Sequence, residues 1–177
     1  MRTLLSCSLA MMLSLSFIAC SKSSDTTSAN NNNTPNSAGT NQIVETVAGM
    51  PMTFVCTGSK STTNGQTMIQ VIGVDTSGKA IVGLSLTNVT ATGTYDIGTV
   101  TFSTTPQTIY LDYSYNDANG STIDYNSTNN SNSKVGTITI TSLSPLKATF
   151  SATLPLTHGT AASSVAITGG MANVTIN

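Results

Sequence analysis

Between Leu146 and Leu156 apolar and polar side chains alternate without a break. Ala148, Phe150, Ala152, Leu154 and Leu156 share one parity, and Lys147, Thr149, Ser151 and Thr153 the other. Only an extended chain, whose successive side chains point to opposite faces, turns that pattern into one buried and one wet face. Shorter runs of the same kind recur along the chain, at 52–58, 80–87, 93–98, 100–103, 107–115, 121–126 and 135–142, separated by Gly, Asn, Asp and Pro. Residues 67–74 are apolar on both parities, which predicts a central strand covered on both sides. Residues 59–66 read as a turn-rich connection, and 164–168 and 171–176 as a final pair joined through Gly169-Gly170. No stretch after residue 20 carries an apolar period of 3.6 over helical length. Nine or ten short strands without room for crossover helices predict an all-β, antiparallel fold. A β-sandwich is the expected form, because one-sided strands suit two facing sheets; a β-barrel is the alternative.

What precedes the strands sets an address. Arg2 is followed by an apolar run from Leu4 to Ala19, diluted by Ser6, Ser8, Ser14 and Ser16. This is the layout of a secretory signal peptide, and a membrane-spanning helix needs about 20 mostly apolar residues. Phe17-Ile18-Ala19-Cys20 resembles a lipobox, with Phe17 in the place usual for leucine. Residues 1–19 are therefore expected to be a lipoprotein signal peptide and Cys20 the lipidated residue. One buried acyl chain anchors only marginally, so several chains on Cys20 would be needed to hold the protein at the membrane. Residues 20–42, rich in Ser, Thr and Asn, have too little apolar surface to offset the entropy of ordering and read as a disordered tether. A flexible coil of that length spans about 25 Å. Residues 43–177 form the expected β domain, of a size for one core.

Charge narrows the partners. Beyond the signal peptide, five lysines face seven acids, a net charge of −2, and no basic cluster exists, which excludes a nucleic-acid footprint. Charged residues make up 7% of the chain, against about 25% in ordinary soluble domains. The surface is expected to be neutral and rich in hydroxyl groups. Of three cysteines, Cys7 falls in the signal peptide and Cys20 at the anchor. Cys56 is left without a disulfide partner and reads as a small buried strand residue.

Several short motifs resemble those of an uncharacterised family of small Bacteroidota lipoproteins. They are Gly93-Thr94-Tyr95-Asp96-Ile97-Gly98, Gly136-Thr137-Ile138-Thr139-Ile140-Thr141, Ala148-Thr149-Phe150-Ser151-Ala152-Thr153-Leu154, and Ile167-Thr168-Gly169-Gly170. The family carries a GTY turn, a G-x-I-T-I-T strand and an FSA-type strand. Ala148 stands where it commonly has glycine, and Gly169 and Met171 replace the usual Asn and Phe. The resemblance covers about residues 45–177 and implies a place, the outer membrane, and a β fold, but no activity.

Catalytic chemistry finds little support. One histidine, His158, is incompatible with a multi-histidine zinc site, and no Gly-x-Ser-x-Gly elbow is present. Asn116-Asp117-Ala118-Asn119-Gly120 resembles part of a calcium loop but has Tyr115 in the first ligand position and no closing glutamate. Neither an enzyme, a metal site nor a cofactor is expected. The functional hint is a group of tyrosines around the Asn119-Gly120 hairpin. Tyr110, Tyr113, Tyr115 and Tyr125, with Asp124, form a candidate ligand-binding set, since aromatic faces beside polar groups bind sugar rings. With Asn119-Gly120 as a two-residue turn, Tyr115 would lie opposite Asp124 and Ser114 opposite Tyr125. The leading expectation is a non-catalytic, lipid-anchored cell-envelope protein with a structural or surface-interaction role. The alternative is a carbohydrate- or peptide-binding lipoprotein using the hairpin at 110–126. The expected partners are the membrane, through the anchor, and a glycan or another envelope protein.

Overall fold

The computed structural model describes residues 37–99, 106–128 and 133–177. The signal peptide, Cys20, most of the tether and the strand expected at 100–103 lie outside them. The described chain forms ten strands: β1 (Gln42–Val47), β2 (Met50–Thr63), β3 (Gln66–Asp75), β4 (Ala80–Thr87), β5 (Gly93–Ile97), β6 (Thr108–Asn116), β7 (Thr122–Asn126), β8 (Gly136–Leu143), β9 (Leu146–His158) and β10 (Ser164–Val174). The fold class is the expected all-β antiparallel one, in its barrel form. The ladder runs β1-β2-β3-β4-β6-β7-β9-β10 and returns to β1, closing one sheet into an eight-stranded ring. Two separate facing sheets would leave four edges; closure leaves none in the ring.

The short β7 bridges β6 and β9 at one end of the barrel, where Tyr125 pairs with Leu156 and Asp124 with His158. Toward the other end, β8 takes over that edge of β9, with Ile138 opposite Phe150, and β5 pairs with β8. The end of β5 reaches β6 through the Gly98 N–H, which donates to the Ile109 carbonyl at 3.0 Å.

Inside, the alternating strands deliver an apolar filling that includes the fully buried Phe54, Leu84, Leu111, Ile138 and Leu154. The outward positions of β9, Lys147, Thr149, Ser151 and Thr153, are polar and exposed. A membrane-spanning barrel has the reverse arrangement, an apolar band facing outward. Burying one such aliphatic side chain is worth about 1.5–3 kcal/mol, so the interior holds the fold.

Four local readings of the sequence are corrected. Residues 59–63 continue β2, because Asn64 and Gly65, both at positive φ, make a two-residue turn that pairs Thr63 with Gln66. The β3 strand is covered on its inner face only. Ile72 and Val74 point outward, 51% and 41% exposed, beside Val55 of β2 and Ile81 of β4 in one cross-strand patch. Gly169-Gly170 is a bulge inside the continuous β10, where the register against β9 shifts between Ile167 and Gly170. Gly170 lies under the Phe150 ring, and a Cβ there would come within 2.4 Å of it. Finally, ordered structure begins before residue 43: Gln42 opens β1, the Asn41 side chain accepts from the Thr175 N–H at 2.9 Å, and the Ala38 carbonyl accepts from Asn173.

Candidate functional site

A fifth correction concerns the tyrosine hairpin, and it builds the site. Asn119-Gly120 is not a two-residue turn. Asp117 pairs with Ser121 through a 2.9 Å backbone bond, Gly120 N–H returns to the Asp117 carbonyl at 3.0 Å, and Gly120 takes φ +80. The Asp117 carboxylate accepts from Asn119 and Ser121 N–H groups, at 2.8 and 2.9 Å, and fixes this longer loop. The register therefore moves by one residue, which exchanges the faces of a strand. Tyr113 lies opposite Tyr125, Tyr115 opposite Ile123, and Ser114 opposite Asp124.

Tyr113, Tyr115 and Tyr125 thus share the inner face at one end of the barrel. Tyr113 and Tyr115 have ring centroids 5.9 Å apart, Tyr113 and Tyr125 6.4 Å apart. Tyr110 pairs with Ser85 on the other parity, and Asp124, beside Ser114, is likewise on the outer face. Of the five candidate residues, three converge and two do not.

The three rings line an open cavity of about 420 Å³ at the barrel mouth, together with Val47, Met50, Met52 and Val165. Its rim carries Asp75 and Lys79. Asp75 is engaged by its own loop: burial alone would raise its carboxyl, but hydrogen bonds from Ser77, Ala80 and Lys79 together outweigh it and bring the carboxyl below the usual value. Eight-stranded barrels are the size that holds either packed side chains or one small ligand. Here the body is packed and the mouth is open.

Beneath the mouth lies a residue that the sequence reading passed over. Three polar side chains are buried among the described residues: Glu45, Asn88 and Ser127. Asn88 donates to the Pro106 carbonyl and accepts from Thr67 N–H, and the Ser127 hydroxyl accepts from Leu111 N–H. Glu45 is completely buried, and neither carboxyl oxygen has a hydrogen-bond partner. It sits on the inner face of β1 between Ile43 and Val47, directly opposite Met52. Desolvation raises its pKa from 4.5 to about 8, which keeps the carboxyl mainly neutral at pH 7. Tyr113 is pushed up to about 12, by burial first and then by Glu45 and its neighbours Tyr115, Asp75 and Tyr125. The Tyr113 hydroxyl donates to the Met52 sulfur at 3.6 Å, a weak acceptor. A signal for Glu45 was present in the sequence: in Ile43-Val44-Glu45-Thr46-Val47 it shares the parity of Ile43 and Val47.

Cys56 is buried, as its strand context suggested. Burial pushes the thiol up to about 11, with Glu45 adding to the rise and a backbone hydrogen bond opposing it. A thiol held so far above neutral pH is a poor nucleophile. No group of three His, Cys, Asp or Glu side chains among the described residues is placed to hold a metal ion. Comparison with family models, with curated proteins and with solved structures finds no match to this chain.

Proposed function

We propose that this protein is a lipid-anchored cell-envelope binding module that takes a small, largely apolar ligand into the mouth of its barrel. The observation that carries the reading is the convergence of Tyr113, Tyr115 and Tyr125 on a 420 Å³ cavity whose other walls are mainly Met, Val and Ala side chains, with Asp75, Ser77, Lys79, Asn116 and Ser164 as its polar groups. Binding sites are typically concave, mainly apolar, 300–1,000 Å³ in volume and equipped with a few polar groups. A cavity of this volume suits one compact apolar or aromatic body rather than an extended glycan. The signal-peptide layout, Cys20 and the resemblance to Bacteroidota lipoproteins support the outer-membrane anchor, and the reading assigns the domain no catalytic step.

The chain has no tryptophan, so its emission comes from tyrosine. Titration of the full chain with small aromatic ligands should change that emission saturably, and Tyr115→Ala should weaken binding severalfold. Saturable binding unaffected by Tyr115→Ala and by Tyr125→Ala would remove the mouth as the site. The anchor is tested separately: Cys20→Ser should abolish palmitate labelling and membrane fractionation. A second reading, contact with another envelope protein, is favoured by the exposed row Val55, Val74 and Ile81 on the outer wall.

A further inference from the structure

We propose that the barrel mouth selects an organic cation, an ammonium group carried on an apolar or aromatic body, with Glu45 as the countercharge at its deep end. The inference rests on the mouth being a binding site and adds the chemistry of what it takes.

Two independent features of the site agree on this class. The first is the orphaned acid. Every other buried polar side chain among the described residues has a partner, whereas both Glu45 oxygens have none. The residue gives the barrel nothing that a valine would not supply, and its burial is costly unless something answers it. It stands opposite Met52 and two residues from Val47, both of which line the mouth. Met52 is therefore the cavity-lining residue that stands beside Glu45 on the inner face. Met52 is half-buried against the core and accepts a weak hydrogen bond from Tyr113, and an unbranched thioether with three rotatable bonds is a side chain that can repack. The second feature is the lining itself. Three tyrosine rings, with centroids 5.9 and 6.4 Å apart, line the cavity, and aromatic rings attract an organic cation most when the site is desolvated.

The charges around Glu45 point the same way. Tyr113 on β6 and Cys56 on β2 face it as neutral groups, both held protonated at neutral pH. Around the mouth stand Asp75, Tyr115 and Tyr125, with Lys79 exposed at the rim. An anionic ligand would meet two carboxyl groups and no buried cation among the described residues. With an ammonium ligand, the Glu45 O–H bond breaks, its proton leaves to buffer, and the carboxylate pairs with the ammonium. One proton is released for each ligand bound wherever Glu45 starts neutral. Affinity should therefore rise with pH until the carboxyl is already ionised, near pH 8.

The test uses three probes of one shape, 2-phenylethylamine, 2-phenylethanol and 3-phenylpropionate, titrated calorimetrically into the full chain in buffers of different ionisation enthalpy. The amine should bind about tenfold or more tightly than the alcohol, the scale of a charge-assisted hydrogen bond, and should release close to one proton at pH 6.5. The acid should bind weakest. Glu45→Gln, nearly the same shape, should erase both the preference and the proton release. Its circular dichroism, matched to the parent, excludes misfolding, and Glu45→Leu provides a second neutral replacement. Equal binding of amine and alcohol, or a preference that survives both replacements, overturns the cation assignment and leaves the mouth as a binding site. Failure of all three probes to bind overturns the assignment and counts against the mouth as well.

Discussion

Replacing Glu45 by glutamine changes the charge the barrel must bury and almost nothing of its shape, so the variant isolates one carboxyl. In the folded protein that carboxyl is raised from 4.5 to about 8 by desolvation, whereas in the unfolded chain it titrates near its ordinary value. Between those two pH values the folded state holds a proton that the unfolded state has lost. Stability then falls as pH rises, by about 1.4 kcal/mol per pH unit. The penalty is absent below pH 4.5, reaches about 3 kcal/mol at pH 7 and levels off near 5 kcal/mol above pH 8. A single domain has about 5–15 kcal/mol in total, so the effect is large. Urea unfolding of both proteins at pH 4, 5, 6, 7, 8 and 9 measures it, and groups common to the two cancel in the difference. The curves should nearly coincide at pH 4, where both side chains are neutral, and diverge steadily to pH 8, with Glu45→Gln the more stable. Parallel curves across that range would refute the argument, because they would mean that the carboxyl titrates alike in both states and is not desolvated.

Other expectations follow from the packing. Leu154→Asp places an unpaired charge at a completely buried position of β9 and should leave no cooperative unfolding transition; a folded variant by circular dichroism would show the inner face to be misassigned. Gly170→Ala drives a methyl group to within 2.4 Å of the Phe150 ring and should cost about 1–3 kcal/mol in urea unfolding, a loss that Phe150→Leu in the same chain should partly restore. The Cys56 thiol, buried and pushed up to about 11, should react with a thiol reagent at pH 7–8 only on the timescale of unfolding, and reaction within seconds in native buffer would contradict its placement.

The strands were legible where one period dominated. In β9 five inward residues alternate with polar neighbours, and the structure keeps that parity from Leu146 to Leu154. Barrel closure was not legible, because it depends on β1 and β9 both pairing with β10, a contact between distant segments that no local pattern encodes. The misread elements have physical causes. Residues 59–63, Ser-Lys-Ser-Thr-Thr, have a loop's composition but are the wet extension of a strand whose turn lies further on, at Asn64-Gly65. The apolar outer face of β3 suggested a covering layer, yet Ile72 and Val74 meet solvent. In β10 a Gly-Gly pair, usually a turn signal, instead makes room for an aromatic ring.

The site was half legible for a related reason. Tyrosine clustering around the hairpin was plain, but which tyrosines face together depended on a single residue of register, and the Asp117 carboxylate decides that register by capping Asn119 and Ser121. With a two-residue turn Tyr125 would point outward opposite Ser114; with the longer loop it points inward opposite Tyr113. One aspartate side chain thus determines whether the barrel end is aromatic, and Glu45 acquires its place beneath that end only through the same closure. Taken alone, a buried acid in β1 is a flaw in an otherwise apolar filling, and taken alone, three tyrosines at a rim are ordinary strand residues. With Met52 and Val47 lining the mouth and Glu45 beside one and two residues from the other, the tyrosine walls and the unpartnered acid belong to one end of the barrel, which is why the mouth, rather than the exposed row on the outer wall, is where a ligand should be sought first.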